Sequence, residues 1–213
     1  MNNQPESQSP ISRAERQRLL LRQEIIEAAL IEFSERGYHQ TAISHIAKRL
    51  GVGHGTFYRH FENKRDILEH VMENVCEKVK AAMVEDNAPT ACNSLEEYEL
   101  QIQRLGSSLT RIILETPGLF RILLLEATSI DPQMTQRIME FFNWCATQVA
   151  AYFDNGVKHG FLRKDLDVEA TAHVLVGMIF STVLMSLNSN DHELFKRINT
   201  AVRRMLLSGI ANH

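Results

Sequence analysis

The polar residues best placed to bind another molecule open a short predicted helix, at positions 53–56. The first backbone N–H groups of a helix lack partners and lie at the positive end of its dipole, which favours a phosphate or the floor of a nucleic-acid groove. His54 can donate or accept a hydrogen bond at a purine edge, and Thr56 offers a hydroxyl and a methyl group. Gly53 and Gly55 let the backbone approach closely. These residue types indicate recognition of DNA through hydrogen bonds.

Two helices joined by a tight turn are predicted to position these residues, within the segment TAISHIAKRLGVGHGTFYRHFENK at 41–64. Ala47 and Gly51 are four residues apart. A small residue there lets a second helix pack closely, and a glycine at a helix end accepts the left-handed conformation of a sharp turn. Val52 and Phe57 are spaced to fill the angle between the helices. This is a helix-turn-helix, whose second helix can enter the DNA major groove.

Three sequence strings between about Arg22 and Leu68 are specific enough to indicate a family: RQEIIEAALIEFSERGY, IAKRLGV and GTFYRHFENKRDIL. On these strings the chain resembles the DNA-binding head of tetracycline-repressor (TetR) type transcriptional regulators. Beyond residue 70 the resemblance is one of layout, a wholly helical remainder of the right length. The resemblance implies a homodimeric repressor that leaves DNA when a small molecule enters its C-terminal domain.

The resemblance also implies individual DNA contacts. Position 54 reads bases in some family members, Tyr58 and His60 match positions that touch the DNA backbone, and Lys64 matches a phosphate-binding lysine. Ser44, on the preceding helix, matches a residue that faces the same groove. Tyr58 could instead pack across the first helix, and His60 could make an interhelical hydrogen bond. The predicted DNA-binding residues are Ser44, Gly53, His54, Gly55, Thr56, Tyr58, His60 and Lys64.

Two positions depart from the family pattern at helix starts. Relatives often carry Thr or Ser at the position of Ala42 with an acidic residue three later, but here His45 follows, so Thr41 or the backbone must cap that helix. Gly53 stands where Ser is common and is a weaker cap. Since losing a good cap costs roughly 1 kcal/mol, we expect a softer head that orders fully on DNA.

Charge is distributed unevenly along the chain. Residues 1–64 hold 9 Lys and Arg against 7 Asp and Glu, whereas residues 65–213 hold 14 against 19. A positive head on a negative body turns the head toward phosphates. The three cysteines are an odd number with no ligand-like spacing, which favours reduced thiols, and the polar N-terminus lacks the apolar run of a signal peptide. We therefore predict a cytoplasmic protein.

The sequence predicts neither enzymatic activity nor a cofactor. It contains no Ser-His-Asp or Cys-His arrangement within a supporting motif and no glycine-rich phosphate loop. The histidines at 39, 45, 54 and 60 match no zinc spacing. Two alternatives stay open at this stage: a transcriptional activator of the same fold, and a helical module that binds protein instead of DNA.

The fold class predicted is all-α, with about nine helices. Residues 1–17 read as a disordered tail, 18–64 as a three-helix helix-turn-helix head, and 65–213 as a helical ligand-binding and dimerisation domain. A helix from about 63 to 84 is long enough to join head and body. Strong start signals stand at Ser94, Asp131 and Asp167. Arginines cluster where the tail meets the first helix, at Arg13, Arg16, Arg18 and Arg22.

The longest apolar stretch, AHVLVGMIFSTVLMSL at 172–187, falls short of the ~20 residues of a spanning helix and contains His173, Ser181 and Thr182. A helix apolar on all sides must be covered all round. We therefore predict that the last two helices pair with their mates in a four-helix bundle and that the operator is palindromic. The predicted interface comprises Val176, Phe180, Val183, Leu184, Ile198, Val202 and Met205.

The body has more apolar helix surface than one small core needs. This surface includes aromatic residues and methionines, whose side chains can adapt to ligands of different shapes. This favours a pocket for an unknown apolar or amphipathic effector, although ordinary core packing is the better explanation for any single residue. Arg104, Arg111, Arg121 and His173 could orient an anionic end of that effector or simply be surface charges. The predicted lining residues are Leu105, Leu109, Leu124, Phe142, Trp144 and Met178.

Overall fold

The computed structural model describes residues 12–84, 87–126, 129–188 and 192–211. Within these ranges the chain forms nine α-helices and no strand, which confirms the all-α prediction. The helices are α1 Arg13–Arg36, α2 Ile43–Leu50, α3 His54–Phe57, α4 Lys64–Val84, α5 Leu95–Glu115, α6 Pro117–Arg121, α7 Pro132–Lys158, α8 Val168–Asn188 and α9 His192–Ile210.

Helix α1 begins five residues before the predicted start at 18. Ser12 caps it, because its hydroxyl accepts a hydrogen bond from the Glu15 N–H at 3.1 Å. Leu19 and Leu20 are exposed, so the first turns carry no buried stripe that would have revealed them as helix. The predicted tail is therefore too long: residues 13–17 are helical, and residues 1–11 lie outside the described part of the chain.

The helix starts predicted from capping residues agree with the structure. The Asp131 carboxylate accepts from the Met134 N–H at 2.8 Å, and Pro132 follows as the first helical residue of α7. Asp167 accepts from the Ala170 N–H at 3.0 Å at the start of α8, and Ser94 accepts from the Glu97 N–H at 3.3 Å at the start of α5. Short-range hydrogen bonds of this kind are visible in sequence because both partners lie within four residues.

The core of the head forms where α1, α2, α3 and α4 meet. Phe33, Phe57 and Phe61 are almost wholly buried there, beside Ile25 and Ile46. Phe57 is therefore a core residue, as predicted, and Phe61 packs beside it. Burying a large aromatic side chain contributes roughly 3 kcal/mol, so this cluster stabilises most of the small head.

Helix α6 connects head and body through a close helix crossing. A β-carbon built on Gly118 would lie 2.1 Å from the Ser34 Cα on α1, so no larger residue fits at this crossing. A π-helical turn at Ile122–Glu126 follows α6. The Glu126 carboxylate then accepts from the Tyr38 N–H at 2.9 Å, which ties this turn to the head.

The body is built around the packing of α7 on α8. Tyr152 and Phe153 of α7 are buried, as are Ala172, Val176 and Val183 of α8. Helix α8 is long and apolar enough to cross a membrane, a property that core helices of soluble proteins share, yet only 22% of that segment is buried within the chain. A large apolar surface of α8 is thus left uncovered by this chain.

Candidate functional site

The turn between α2 and α3 has the geometry that its glycine predicts. Gly51 adopts the left-handed conformation, with φ +70°, and its N–H donates to the Lys48 carbonyl at 3.2 Å. The next N–H, that of Val52, donates to the Ala47 carbonyl at 3.0 Å. Two consecutive N–H groups thereby satisfy the last carbonyls of α2 and turn the chain sharply. The turn holds α3 at a fixed angle to α2.

Helix α3 presents its polar residues to solvent and its aromatic residue to the core. His54, Gly53 and Gly55 are exposed, and the side chain of Tyr58 is 55% exposed. Thr56 is half-buried, and its hydroxyl accepts from the Arg59 guanidinium at 3.0 Å. A β-carbon at position 53 or 55 would meet no atom within 4 Å, so the outer side of this turn is open. The α-helix ends at Phe57, and the chain continues as hydrogen-bonded turns.

His60 lies among cationic side chains that come from α1 and from the turn after α3. Its pKa is lowered by burial and by the positive charges of Arg18, Arg59 and Arg22. Arg22 also lies 4.8 Å from the centre of the Phe61 ring and hydrogen-bonds His70 at 2.7 Å, which holds its side chain in place. The start of α1 and the end of the α3 turn therefore form one positive surface beside the exposed face of α3.

Lys64 is held more tightly than a free phosphate-binding lysine would be. Its ammonium donates to the Tyr38 carbonyl at 2.8 Å and to the His39 carbonyl at 3.3 Å, and it lies 4.3 Å from the centre of the Tyr38 ring. Burial lowers the pKa of this ammonium. Lys64 thus joins the start of α4 to the loop after α1, and only its remaining donor capacity could reach a phosphate.

The start of α2 is capped by a residue that the sequence did not single out. The Ala42 N–H donates to the His45 Nδ1 at 3.2 Å, so His45 fills the place of the acidic residue common in the capping box. Thr41 is buried and does not cap; its hydroxyl lies within hydrogen-bonding distance of the Glu32 and Gly37 carbonyls. Ser44, in the first turn of α2, is half-buried.

The body contains a cavity of about 640 Å³ that is partly open to solvent, called here the outer chamber. Helices α4, α5, α7, α8 and α9 form its walls. Apolar side chains dominate the walls, and polar side chains are contributed mainly by α5 and α9, among them Ser107, Thr110, Thr200 and Arg203. Binding cavities for small molecules have this size and this mixture of an apolar wall with a few polar groups.

A smaller cavity of about 70 Å³, called here the inner chamber, adjoins the outer one. Cys145 of α7, Val176 of α8 and Phe120 of α6 are among its walls, and every residue around it is apolar or a cysteine. Burial raises the pKa of the Cys145 thiol to about 12, so this side chain is neutral at physiological pH. The two chambers share six wall residues: Met83, Leu109, Ile113, Val149, Ile179 and Val183.

The cavity corrects part of the predicted lining. Leu105 and Leu109 lie in its wall as predicted, whereas four others do not line either chamber: Leu124, Phe142, Trp144 and Met178. Phe142 packs on Phe180 with ring centres 3.9 Å apart, and Trp144 stacks on Phe141. The amphipathic stripe of α7 identified its buried side but could not distinguish the part facing the cavity from the part facing neighbouring helices.

The predicted dimer interface needs a similar correction. Val176 and Val183 are buried within the chain, at 7% and 2% exposed, and Val202 lines the outer chamber, so these three side chains face inward. Phe180 packs against Phe142. Met205, by contrast, is 65% exposed. The uncovered side of α8 carries other residues at helical spacing: Val174, Gly177, Ser181 and Met185. Leu184 and Ile198 are half-buried.

The described residues match known regulators in both sequence and fold. Residues 25–71 match the family described as bacterial regulatory proteins, tetR family. The chain is 28% identical over 189 residues to the fatty acid metabolism regulator protein of Bacillus subtilis (strain 168), covering 89% of this chain and 95% of the relative. These matches support a TetR-family regulator. Residues 25–71 form the DNA-binding head of a transcriptional regulator.

Solved structures of transcriptional regulators resemble this chain over most of its length. FadR from Bacillus subtilis, solved in complex with stearoyl-CoA, has a TM-score of 0.66 at 27% identity and covers 88% of this chain and 98% of its own. A transcriptional regulator from Saccharomonospora viridis in complex with choline has a TM-score of 0.74 at 22% identity, covering 92% and 100%. At the lower identity the likeness shows the fold alone.

Sequence reasoning missed several residues of this cavity. Ile102, Thr110, Ile179 and Arg203 line the outer chamber although none was predicted to do so. The sequence did indicate one of them, because Ile102 lies on the same apolar face of α5 as Leu105 and Leu109. Arg203 lies on α9, a helix that was predicted to lie wholly in the dimer interface. The periodicity of α9 therefore gave no reason to predict that the Arg203 side chain lines the cavity.

Proposed function

We propose that this TetR-family chain is a homodimeric, sequence-specific repressor that leaves its operator when an amphipathic small molecule occupies the body. The observation that carries the proposal is the two-sided α3, which buries Phe57 in the head core and exposes His54 and Tyr58. A helix held by its apolar side and open on its polar side is suited to lie in a major groove.

Individual DNA contacts follow from the exposed face of α3 and its surroundings. His54 and Thr56 are proposed to reach base edges, and Gly53 and Gly55 allow the backbone to approach the groove. Tyr58 and His60 are proposed to contact phosphates, with the positive charge of Arg18 and Arg22 beside them. Ser44 and Lys64 complete the footprint, Lys64 through donor capacity that its two carbonyl bonds leave over.

Dimerisation is proposed to cover the exposed apolar side of α8. Val174 is 60% exposed and Met185 is 53% exposed, and Met205 of α9 adds a third uncovered apolar side chain. A β-carbon at Gly177 would meet no atom within 4 Å, so another helix can approach closely. Two copies related by a twofold axis would present two α3 helices to a palindromic operator in the cytoplasm.

The effector is proposed to be a fatty acyl compound. The Bacillus subtilis relatives are a fatty acid metabolism regulator and a FadR bound to stearoyl-CoA. In this chain, an outer chamber with polar groups on α5 and α9 leads to an inner chamber without any, which suits a molecule with one polar and one apolar end. Burial of an acyl chain in these chambers would supply most of its affinity.

Helix α6 is proposed to carry the signal from the cavity to the head. Phe120 forms part of the inner chamber, and two residues earlier Gly118 packs directly on Ser34 of α1. A ligand that packs against Phe120 would therefore shift α6 against α1 and change the spacing of the two heads. Effector and operator must then weaken each other's binding by the same factor.

The experiment that tests the proposal selects bound fragments from genomic DNA with the purified full-length chain. The bound fragments are expected to share a palindrome, and acyl-CoA addition is expected to release them. Because several phosphates are contacted, affinity should fall steeply as salt rises. Binding that ignores both sequence and salt would contradict the proposal.

A further inference from the structure

We propose that the cavity selects its effector by acyl chain length, with the inner chamber around Cys145 receiving the end of the chain. This inference rests on the proposed function, and it assigns a specificity-determining role that the likeness to other regulators does not supply. It follows from the division of the cavity into two chambers of different size and chemistry.

The distribution of polar groups orients the ligand. Ser107 and Thr110 on α5 and Thr200 and Arg203 on α9 all lie in the outer chamber. Among the described residues no carboxylate pairs with Arg203, so its guanidinium is available to an anionic head group. The inner chamber offers no hydrogen-bonding partner apart from a neutral thiol, and an unpaired polar group buried there would be costly. The polar end therefore stays outside and the acyl end points inward.

The volume of the inner chamber sets the length that can be accommodated. Its space of about 70 Å³ is that of two or three water-sized groups at roughly 30 Å³ each, so it admits the last two or three carbons of a chain. Each methylene transferred from water into it should raise affinity about fourfold. Beyond that length Phe120, Phe141 and Phe180 close the chamber, and a longer chain must displace packed side chains.

Cys145 is the position at which this length limit can be changed with least disturbance. It has the smallest side chain around the inner chamber, and it does not line the outer one. Leucine at this position would place two additional heavy atoms in the space that the chain end needs. Val176 of α8, which packs in the same cluster as Cys145, offers the reverse change, because alanine there removes two methyl groups and enlarges the chamber.

The test measures dissociation constants of the full-length protein for a saturated acyl-CoA series from octanoyl to stearoyl, with the free fatty acids as a second arm. Wild type is compared with Cys145→Leu and Val176→Ala, and Thr110→Leu serves as the matched control in the outer chamber. Operator binding without ligand is measured first for every variant. The free-acid arm shows whether the coenzyme A head group is required.

The expected result is a shift in preferred chain length. Cys145→Leu should weaken the longest ligands that fit by about tenfold or more while sparing shorter ones, and Val176→Ala should move the optimum to longer chains. Thr110→Leu should change all lengths by a similar factor. If Cys145→Leu and Thr110→Leu alter every length equally, length selection by the inner chamber is wrong although the proposed effector class stands. If operator-binding protein takes up no acyl compound, both are wrong.

Discussion

At the scale of single residues, the head depends on a buried carboxylate. Glu32 of α1 is 3% exposed and accepts hydrogen bonds from Arg49 of α2 at 2.6 Å and from Arg36 at 2.7 Å. Burial raises its pKa, but the hydrogen bonds and charges of the two arginines outweigh burial, and its pKa is lowered from 4.5. Glu32 therefore joins the first two helices as a charged group.

We predict that Glu32→Gln lowers the free energy of unfolding by about 2 kcal/mol at neutral pH, since it removes a buried charge from two charge-assisted hydrogen bonds. A carboxylate with a lowered folded-state pKa stabilises the protein above its unfolded-state pKa and loses that contribution as pH falls through the folded value. The difference in the free energy of unfolding between wild type and Glu32→Gln should therefore shrink below pH 4.5. Chemical denaturation across a pH series measures it.

The matched control for this prediction is Glu24→Gln, a change of the same chemistry at an exposed position of α1. Its effect on stability should stay within about 0.5 kcal/mol at every pH. A Glu32→Gln variant as stable as this control at neutral pH would show that the buried ion pair contributes nothing to the head.

Sequence reasoning at this scale succeeded where a residue type alone decides its environment. Phe57 and Phe61 had to be buried, and His54 followed by glycine had to be open. It could not foresee that Lys64 binds carbonyls 25 and 26 residues away or that His45 caps α2. The Lys64 contacts depend on how helices cross, which a single sequence does not state. The cap between His45 and Ala42 is local, but histidine is not the usual residue at that position of a capping box.

At the scale of elements, the contact of α6 with α1 is the sharpest link between body and head. Gly118→Ala places a β-carbon against the backbone of Ser34, which cannot move without moving α1. Overpacking at this point should push α6 and α1 apart. We therefore predict that the variant either loses at least about 2 kcal/mol of its free energy of unfolding or releases DNA differently when effector binds. Thermal unfolding and effector titration of the operator complex measure both effects.

Gly209→Ala provides the control, since a β-carbon at that position of α9 would meet no atom within 4 Å. There the exchange should be neutral or stabilising by about 0.5–1 kcal/mol, as alanine favours a helix more than glycine does. If Gly118→Ala and Gly209→Ala have the same effect on unfolding and on DNA release, α6 does not pack tightly on α1.

The sequence predicted the positions of some helices more accurately than those of others. Starts marked by Ser94, Asp131 and Asp167 were placed correctly, because a cap and its target are neighbours in the chain. The start of α1 was missed because Leu19 and Leu20 are exposed. In α8 apolar residues surround the whole helix, so nothing in the sequence distinguished the buried Val176 from the exposed Val174. Val176 and Val183 were therefore predicted at the interface although they are buried within the chain.

At the scale of the whole molecule, the open side of α8 determines the predicted assembly. We predict that Val174→Glu weakens dimerisation by about 30-fold or more, since each dimer would bury two uncompensated charges worth about 2 kcal/mol or more. Operator affinity should fall with it, because a single head makes half of the contacts. Sedimentation equilibrium over a concentration series measures the association.

Leu100→Glu is the control for that prediction, because Leu100 is an exposed apolar residue of α5, 52% accessible, away from α8 and α9. It should leave association unchanged. Dimerisation of the Val174→Glu variant equal to that of this control would place the interface elsewhere on the molecule.

The all-α architecture and the helix-turn-helix head could be read from the sequence because short motifs and 3.6-residue periodicity encode them locally. The cavity could not, because it arises where five helices fail to fill the space between them. Leu105 and Leu109 were found through their stripe on α5, whereas Arg203 became part of the site only once α9 was in place.

The measurement that tests the central claim most directly is operator binding by wild type and His54→Ala as a function of salt. Wild type should bind a selected palindrome with a steep salt dependence, and His54→Ala should lose about 1–3 kcal/mol of affinity with little change in salt slope, as expected for a base contact. Lys164→Ala, an exposed change in the body, should bind like wild type. Unchanged binding by the His54→Ala variant would contradict DNA reading by this face of α3.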